Sequence, residues 1–166
     1  MWKWIAGIAA VPLGLAAVVY GVGALLPRGH VARAEALVPA APDAVAALVR
    51  EVERQPAWRS NVARVEVTGR RANGLSYVEH GEEAIAFEFT EEVPGRRFRS
   101  AIADPSLPFG GAWTIALAPA GGGTRVSIEE RGEVRDPLYR FFARFVFGHE
   151  ATMRTWLADL DRAVRR

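Results

Sequence analysis

Residues 136–164 read DPLYRFFARFVFGHEATMRTWLADLDRAV, and their spacing decides the fold. Leu138, Phe141, Phe142, Phe145, His149, Met153, Trp156, Leu160 and Val164 recur at helical spacing on one stripe. Arg140, Arg144, Arg154, Arg162 and Arg165 take the opposite side. Asp136 is placed to cap the first turn, and Pro137 suits its opening position. One long amphipathic helix is expected, and so wide an apolar stripe needs a surface to lie on.

The segments upstream supply that surface. Residues 31–38 read as a first strand ended by Pro39, and Pro42 opens a helix on which Val45, Leu48, Val49 and Val52 share a face. Gln55-Pro56-Ala57-Trp58 breaks that helix and starts a short second turn. Strand signals follow over 62–69, 75–80, 83–92, 97–103, 111–118 and 124–134, punctuated by Asn73-Gly74, Pro94-Gly95 and Gly121-Gly122-Gly123. Alternation of Ile85, Phe87 and Phe89, and of Trp113, Ile115 and Leu117, gives each strand one core face. The expected class is α+β: a curved seven-stranded antiparallel sheet packed on a long C-terminal helix, preceded by one transmembrane helix.

That last element rests on residues 4–26, 23 consecutive positions without a charge. At 1.5 Å per residue they reach roughly 35 Å, enough for a hydrocarbon core of about 30 Å. Trp2, Lys3 and Trp4 at one end and Arg28 at the other suit the headgroup layers. A cleaved signal peptide is the alternative, but the apolar run is long for one and Val22-Gly23-Ala24 is a mediocre cut site. The division is thus 1–29, anchor and short linker, and 30–166, one folded domain. Cations flank the span almost evenly, and the domain is assigned to the extracytoplasmic side of a single-pass protein. Gly7, Ala10, Gly14, Ala17, Gly21 and Ala24 form a small-residue seam that suits a weak homodimer, although Gly and Ala fill ten of the 23 positions.

Composition removes several function classes. With no cysteine there is no disulfide, thiolate metal site or Cys nucleophile. The 21 basic residues are scattered among 19 acidic ones, so no basic stripe for nucleic acid exists. His30, His80 and His149 lack metal-ligand spacing, and no phosphate loop or nucleophile elbow is present. No cofactor is expected.

The order of elements resembles the helix-grip fold of the START-like (SRPBCC) superfamily, the polyketide cyclase/dehydrase and lipid-transport proteins. The residues that carry the resemblance are Val38-Pro39-Ala40-Ala41-Pro42-Asp43-Ala44-Val45, Pro56-Ala57-Trp58, Gly111-Ala112-Trp113, Gly123-Thr124-Arg125-Val126, the 130–133 stretch and the closing helix. Ala46 departs from it, where many members carry a bulky aromatic. The resemblance implies a cavity between sheet and last helix for a hydrophobic small molecule (a lipid, isoprenoid or polyketide-like compound), and members include carriers, sensors and enzymes.

The candidate ligand-binding set is Phe87, Phe89, Trp113, Ile115, Ile128, Glu130, Phe141, Phe145, His149 and Met153. His149 reads either as a ligand-facing imidazole or as a core histidine satisfied by a neighbour. Glu130 shares a face with Val126 and Ile128 and either pairs with His149 or reaches water at the strand end. Together they are the acid/base candidates of an enzymatic alternative, beside a third reading as a membrane scaffold or sensor. Alternation offers either Glu79 or His80 an inward place, and the preferred reading leaves both solvated beside the turn. Leu107, Pro108 and Phe109 put apolar side chains on a Pro/Gly-rich connection; the resemblance implies a gate loop or membrane-touching lip at the cavity mouth, and a loop folded back onto the core is the equal alternative. Phe147 falls on the polar side of the last helix and is expected to meet another element, a partner chain or the bilayer.

Overall fold

The computed structural model describes residues 2–148 and 150–166, with the side chains of residues 2–13 and 147 outside that description. Its elements run α1 (Trp2–Leu25), β1 (Gly29–Val38), α2 (Pro42–Arg50), a 3-10 turn (Val52–Ala57), β2 (Arg64–Arg71), β3 (Gly74–His80), β4 (Ala84–Val93), β5 (Arg97–Ile102), β6 (Phe109–Ala120), β7 (Gly123–Val134), α3 (Pro137–Phe142), a π turn (Ala143–Phe147) and α4 (Ala151–Val164). The sheet is antiparallel throughout, in the order β1-β7-β6-β5-β4-β3-β2, so first and last strands are neighbours.

Glycines fix two of its tight places. Gly123 has φ +148°, and a Cβ there would meet the Val38 carbonyl oxygen at 2.1 Å. Gly111 has φ +137°, and a Cβ there would fall 2.5 Å from the Arg131 carbonyl oxygen of β7. Both are backbone approaches that only glycine permits. Thr124, fully buried beside the first of these, donates its hydroxyl to the Ala40 carbonyl at 2.7 Å and ties β7 to the start of α2.

Met153, Trp156, Leu157 and Leu160 project from α4 into the core, each worth about 1.5–3 kcal/mol relative to exposure. Small residues on β1, Ala32, Ala34 and Ala36, let α4 lie close to the sheet. Asp159 is fully buried and accepts from the Ser60 backbone N–H at 2.7 Å and the Ser60 hydroxyl at 2.8 Å, with Arg162 as its ion-pair partner. It pins the loop after the 3-10 turn to the helix.

The expected single terminal helix is two. Asp136 does cap α3, accepting from Leu138 and Tyr139 N–H groups, and Pro137 opens it. The chain then passes through the π turn and Gly148 at φ +72° before α4 begins. A positive φ interrupts helical bonding, so the apolar stripe splits. Its C-terminal half covers the sheet, whereas Leu138, Phe142 and Phe145 are largely exposed.

Among the described residues no helix is long and apolar enough to cross a membrane. Much of the expected anchor at 4–26, including Gly7 and Ala10 of its seam, lies outside the described side chains. The described end of α1 exposes Leu15, Val18, Tyr20 and Leu25 and packs on α3. A Cβ on Gly23 would overlap the Pro137 carbonyl, and Arg140 donates to the Leu26 carbonyl at 2.9 Å.

Replacing Asp159 by Ala removes both Ser60 bonds and the Arg162 ion pair, and about 2 kcal/mol of stability should be lost in denaturant titrations. Ser60→Ala keeps the backbone N–H bond and should cost less; equal losses would place the stabilisation in the hydroxyl instead.

Candidate functional site

Where α4 stops short of filling the concave face, a cavity of about 350 Å³ remains. Phe87, Phe89, Ile102, Ile115, Trp113 and Trp156 are the large apolar residues of its wall beside Ile85 and Phe109. A second lobe of about 460 Å³ shares Ile102, Phe109, Gly110, Glu130 and Thr152 with it and opens between β7 and α3, past Leu138, Tyr139 and Phe142.

Each end of the apolar chamber carries a polar cluster. At the open end, β1–β7 pairing sets Ala32 opposite Glu130 and His30 opposite Gly132. The imidazole Nε2 of His30 lies 3.0 Å from Glu130 Oε1, and the Trp113 indole N–H donates to Oε2 at 2.9 Å. Both carboxylate oxygens are therefore engaged, and the side chain stays about one-fifth exposed toward the cavity. Gly132 makes room for the ring, since a Cβ there would fall 2.4 Å from His30 Cε1.

At the other end, Arg59 and Glu79 form a largely buried ion pair. Arg59 also donates to Gln55 Oε1 at 2.7 Å, and the Tyr77 hydroxyl lies 3.4 Å from both Glu79 and Ser100 Oγ. Burial first, and then the negative charge of Glu79, push the Tyr77 phenol far above its ordinary range. It therefore stays protonated and remains a donor across physiological pH.

Of the sequence-derived set, Phe87, Phe89, Trp113, Ile115, Glu130 and Phe109 line the cavity. Ile128 and Met153 are packed in the core. Phe141 lies outside the cavity wall, against Phe142 and Phe145 at centroid distances of 5.8 and 5.0 Å, and Phe145 is exposed because the helix breaks before α4. His149 lies outside the described residues; among those described, the imidazole partner of Glu130 is His30, brought there by the first strand. Glu79 is the inward member of its pair, and His80 faces Arg64 and Glu66. Phe109 begins β6 instead of ending a loop, and Leu107 and Pro108 are absent from the 350 Å³ chamber's wall. The carbonyls of Pro105 and Leu107 accept from Arg135 Nη1 at 2.8 and 3.0 Å, and Pro108 accepts from the Arg135 backbone, which straps the expected gate to the residue that follows β7. Among the described residues no cluster could hold a metal ion.

Sequence reading missed His30, Arg59 and Tyr77. For His30 a signal existed: period-2 alternation along His30, Ala32, Ala34 and Ala36 puts it on the inward face of β1.

Comparison with known proteins agrees with this architecture. The profile of the family described as Polyketide cyclase / dehydrase and lipid transport matches residues 30–165, and the chain belongs to that family. No match to a curated protein was found. Among solved structures, the Zhui aromatase/cyclase from Streptomyces sp. R1128 superposes with a TM-score of 0.70 at 11% identity, over 83% of this chain and 94% of that one. A protein from Thermus thermophilus gives 0.65 at 23% identity, over 82% and 97%. A START superfamily protein from Mycobacterium smegmatis gives 0.61 at 14%, over 84% and 98%. These likenesses concern the fold.

Gly132→Ala should force the imidazole off its seat, costing about 1–3 kcal/mol. It should shift the His30 ¹⁵N resonances and leave the Trp113 indole N–H in place. Unchanged His30 resonances would show that the ring does not rest on Gly132.

Proposed function

We propose that this chain is a membrane-anchored module that binds an apolar small molecule, lipid, isoprenoid or polyketide-like, in the cavity beneath α4. The observation that carries this reading is the chamber itself: aromatic and branched walls with hydrogen-bonding groups confined to its two ends. Its 350 Å³ lies at the small end of the roughly 300–1,000 Å³ typical of ligand sites. A single-chain or fused-ring compound suits it better than a two-chain lipid. The ligand's polar atoms would meet Arg59 and Tyr77 at one end and Glu130 at the other. Solvent extraction of the purified full chain and mass spectrometry should recover such a compound. Ser100→Phe, which fills the chamber, should cut affinity for it more than tenfold; unchanged binding would contradict the assignment.

A second reading, an enzyme of the cyclase/dehydrase type, is favoured by the carboxylate of Glu130 held at the chamber's edge with His30 behind it. Such a carboxylate can take or give a proton to a ligand atom within hydrogen-bond reach. The two readings part at Glu130→Gln, which preserves shape: a binder retains its ligand, whereas an enzyme loses turnover.

The anchor belongs to the same proposal. Its support is the uncharged run of 4–26, the helical backbone over Trp2–Leu25 and the exposed apolar residues of the described part. Gly14 and Gly21 meet nothing within 4 Å in the single chain, leaving the seam free for a second copy. The absence of cysteine allows a direct test of sidedness. Gly121→Cys, on an exposed turn, should react with a membrane-impermeant maleimide in intact cells and sediment with membranes after carbonate washing. Labelling only after lysis would put the domain inside; release by carbonate would remove the anchor.

A further inference from the structure

Where α1 meets the domain, a cleft of about 70 Å³ is lined by Arg28, Arg140, Arg144 and His30, with no acidic side chain among the described residues of its wall. Only Leu26, Pro27 and Arg28 separate α1 from β1, and the junction is fastened. Arg140 donates Nη1 to the Leu26 carbonyl, and Val134 N–H donates to the Arg28 carbonyl at 2.8 Å. Arg140 is 8% exposed, yet its Nε–H has no partner among the described residues. Arg28 and Arg144 take part in no ion pair among those residues either, although most of the chain's arginines do.

Three arginines line one small cleft without an ion-pair partner among the described residues; Arg28 and Arg144 are exposed, whereas Arg140 is buried with an unmet donor, which is costly unless an acceptor completes it. Planar forks of N–H donors match tetrahedral oxyanions in geometry and charge. We propose that this cleft is a phosphate-group site, filled by the headgroup of an anionic phospholipid. The lipid source rests on the anchor reading above: if residues 4–26 span the bilayer, Leu26 ends at the hydrocarbon boundary and the cleft lies at headgroup depth. The phosphate chemistry rests on the cleft alone. Occupancy would hold the domain flush against the membrane, with the exposed Leu138, Tyr139 and Phe142 at the cavity's opening turned toward lipid.

The test uses the full chain in neutral detergent. Native mass spectrometry with dioleoyl-phosphatidylglycerol or dioleoyl-phosphatidylcholine reads the retained lipid, and melting in phosphate against chloride at matched ionic strength reads the free anion. Wild type should retain phosphatidylglycerol preferentially, and Arg28→Gln with Arg144→Gln should weaken that preference about fivefold per arginine. A control pair on the sheet, Arg99→Gln with Arg125→Gln, should leave it unchanged. If phosphate instead raises the melting temperature of wild type but not of the cleft variant, and lipid preference is absent, the oxyanion site stands and its lipid source falls. Equal behaviour of wild type, cleft variant and control overturns the site. Carbonate extraction of the cleft variant separates the readings, because release there removes the anchor without touching the phosphate arm.

Discussion

Trp156 of α4 stands edge-on to Trp58 at 5.5 Å, and both rings are buried between the helix and the concave sheet. This contact sets how near the helix approaches at one side, while the alanines of β1 set it at the other. Strands on the β4–β5 side carry Phe87, Phe89 and Ile102, whose rings and branches stop short of α4 and leave the chamber. A helix seated on two such supports cannot sink into the space between them. The cavity is thus a consequence of side-chain sizes at a few positions, and the buried Asp159–Ser60 bonds keep the helix from sliding off its seat.

Polarity within that space is placed by topology more than by local sequence. Pairing of the first strand with the last puts His30 beside Glu130 across a separation of 100 residues. The loop after the short 3-10 turn carries Arg59 beneath β3, where Glu79 and Tyr77 point inward. A ligand entering from the α3 side would meet Glu130 first and Arg59 last. The arrangement favours a molecule with an apolar body and polar atoms at its ends.

Strand positions, the Asp136 cap, the Pro42 helix start and the inward faces of β4 and β6 were legible because alternation and capping are local properties. The break at Gly148 was not. The stripe of Leu138, Phe141, Phe142 and Phe145 continues the phase of Met153 and Trp156, so periodicity alone joins two helices with different partners. One half covers the sheet, and the other meets α1 and solvent. His30 was overlooked for the complementary reason: the order of the sheet, and not its own neighbours in the chain, makes it part of the site. The Arg28, Arg140 and Arg144 cluster likewise exists only once α1 docks on α3.

The central claim is that the sheet and α4 enclose accessible apolar space. Xenon enters dry apolar cavities and is visible in diffraction. Crystals of the full chain under xenon pressure should show an atom among Phe89, Ile115 and Trp156. Density from side chains alone in that region, with no xenon at any pressure, would contradict the account.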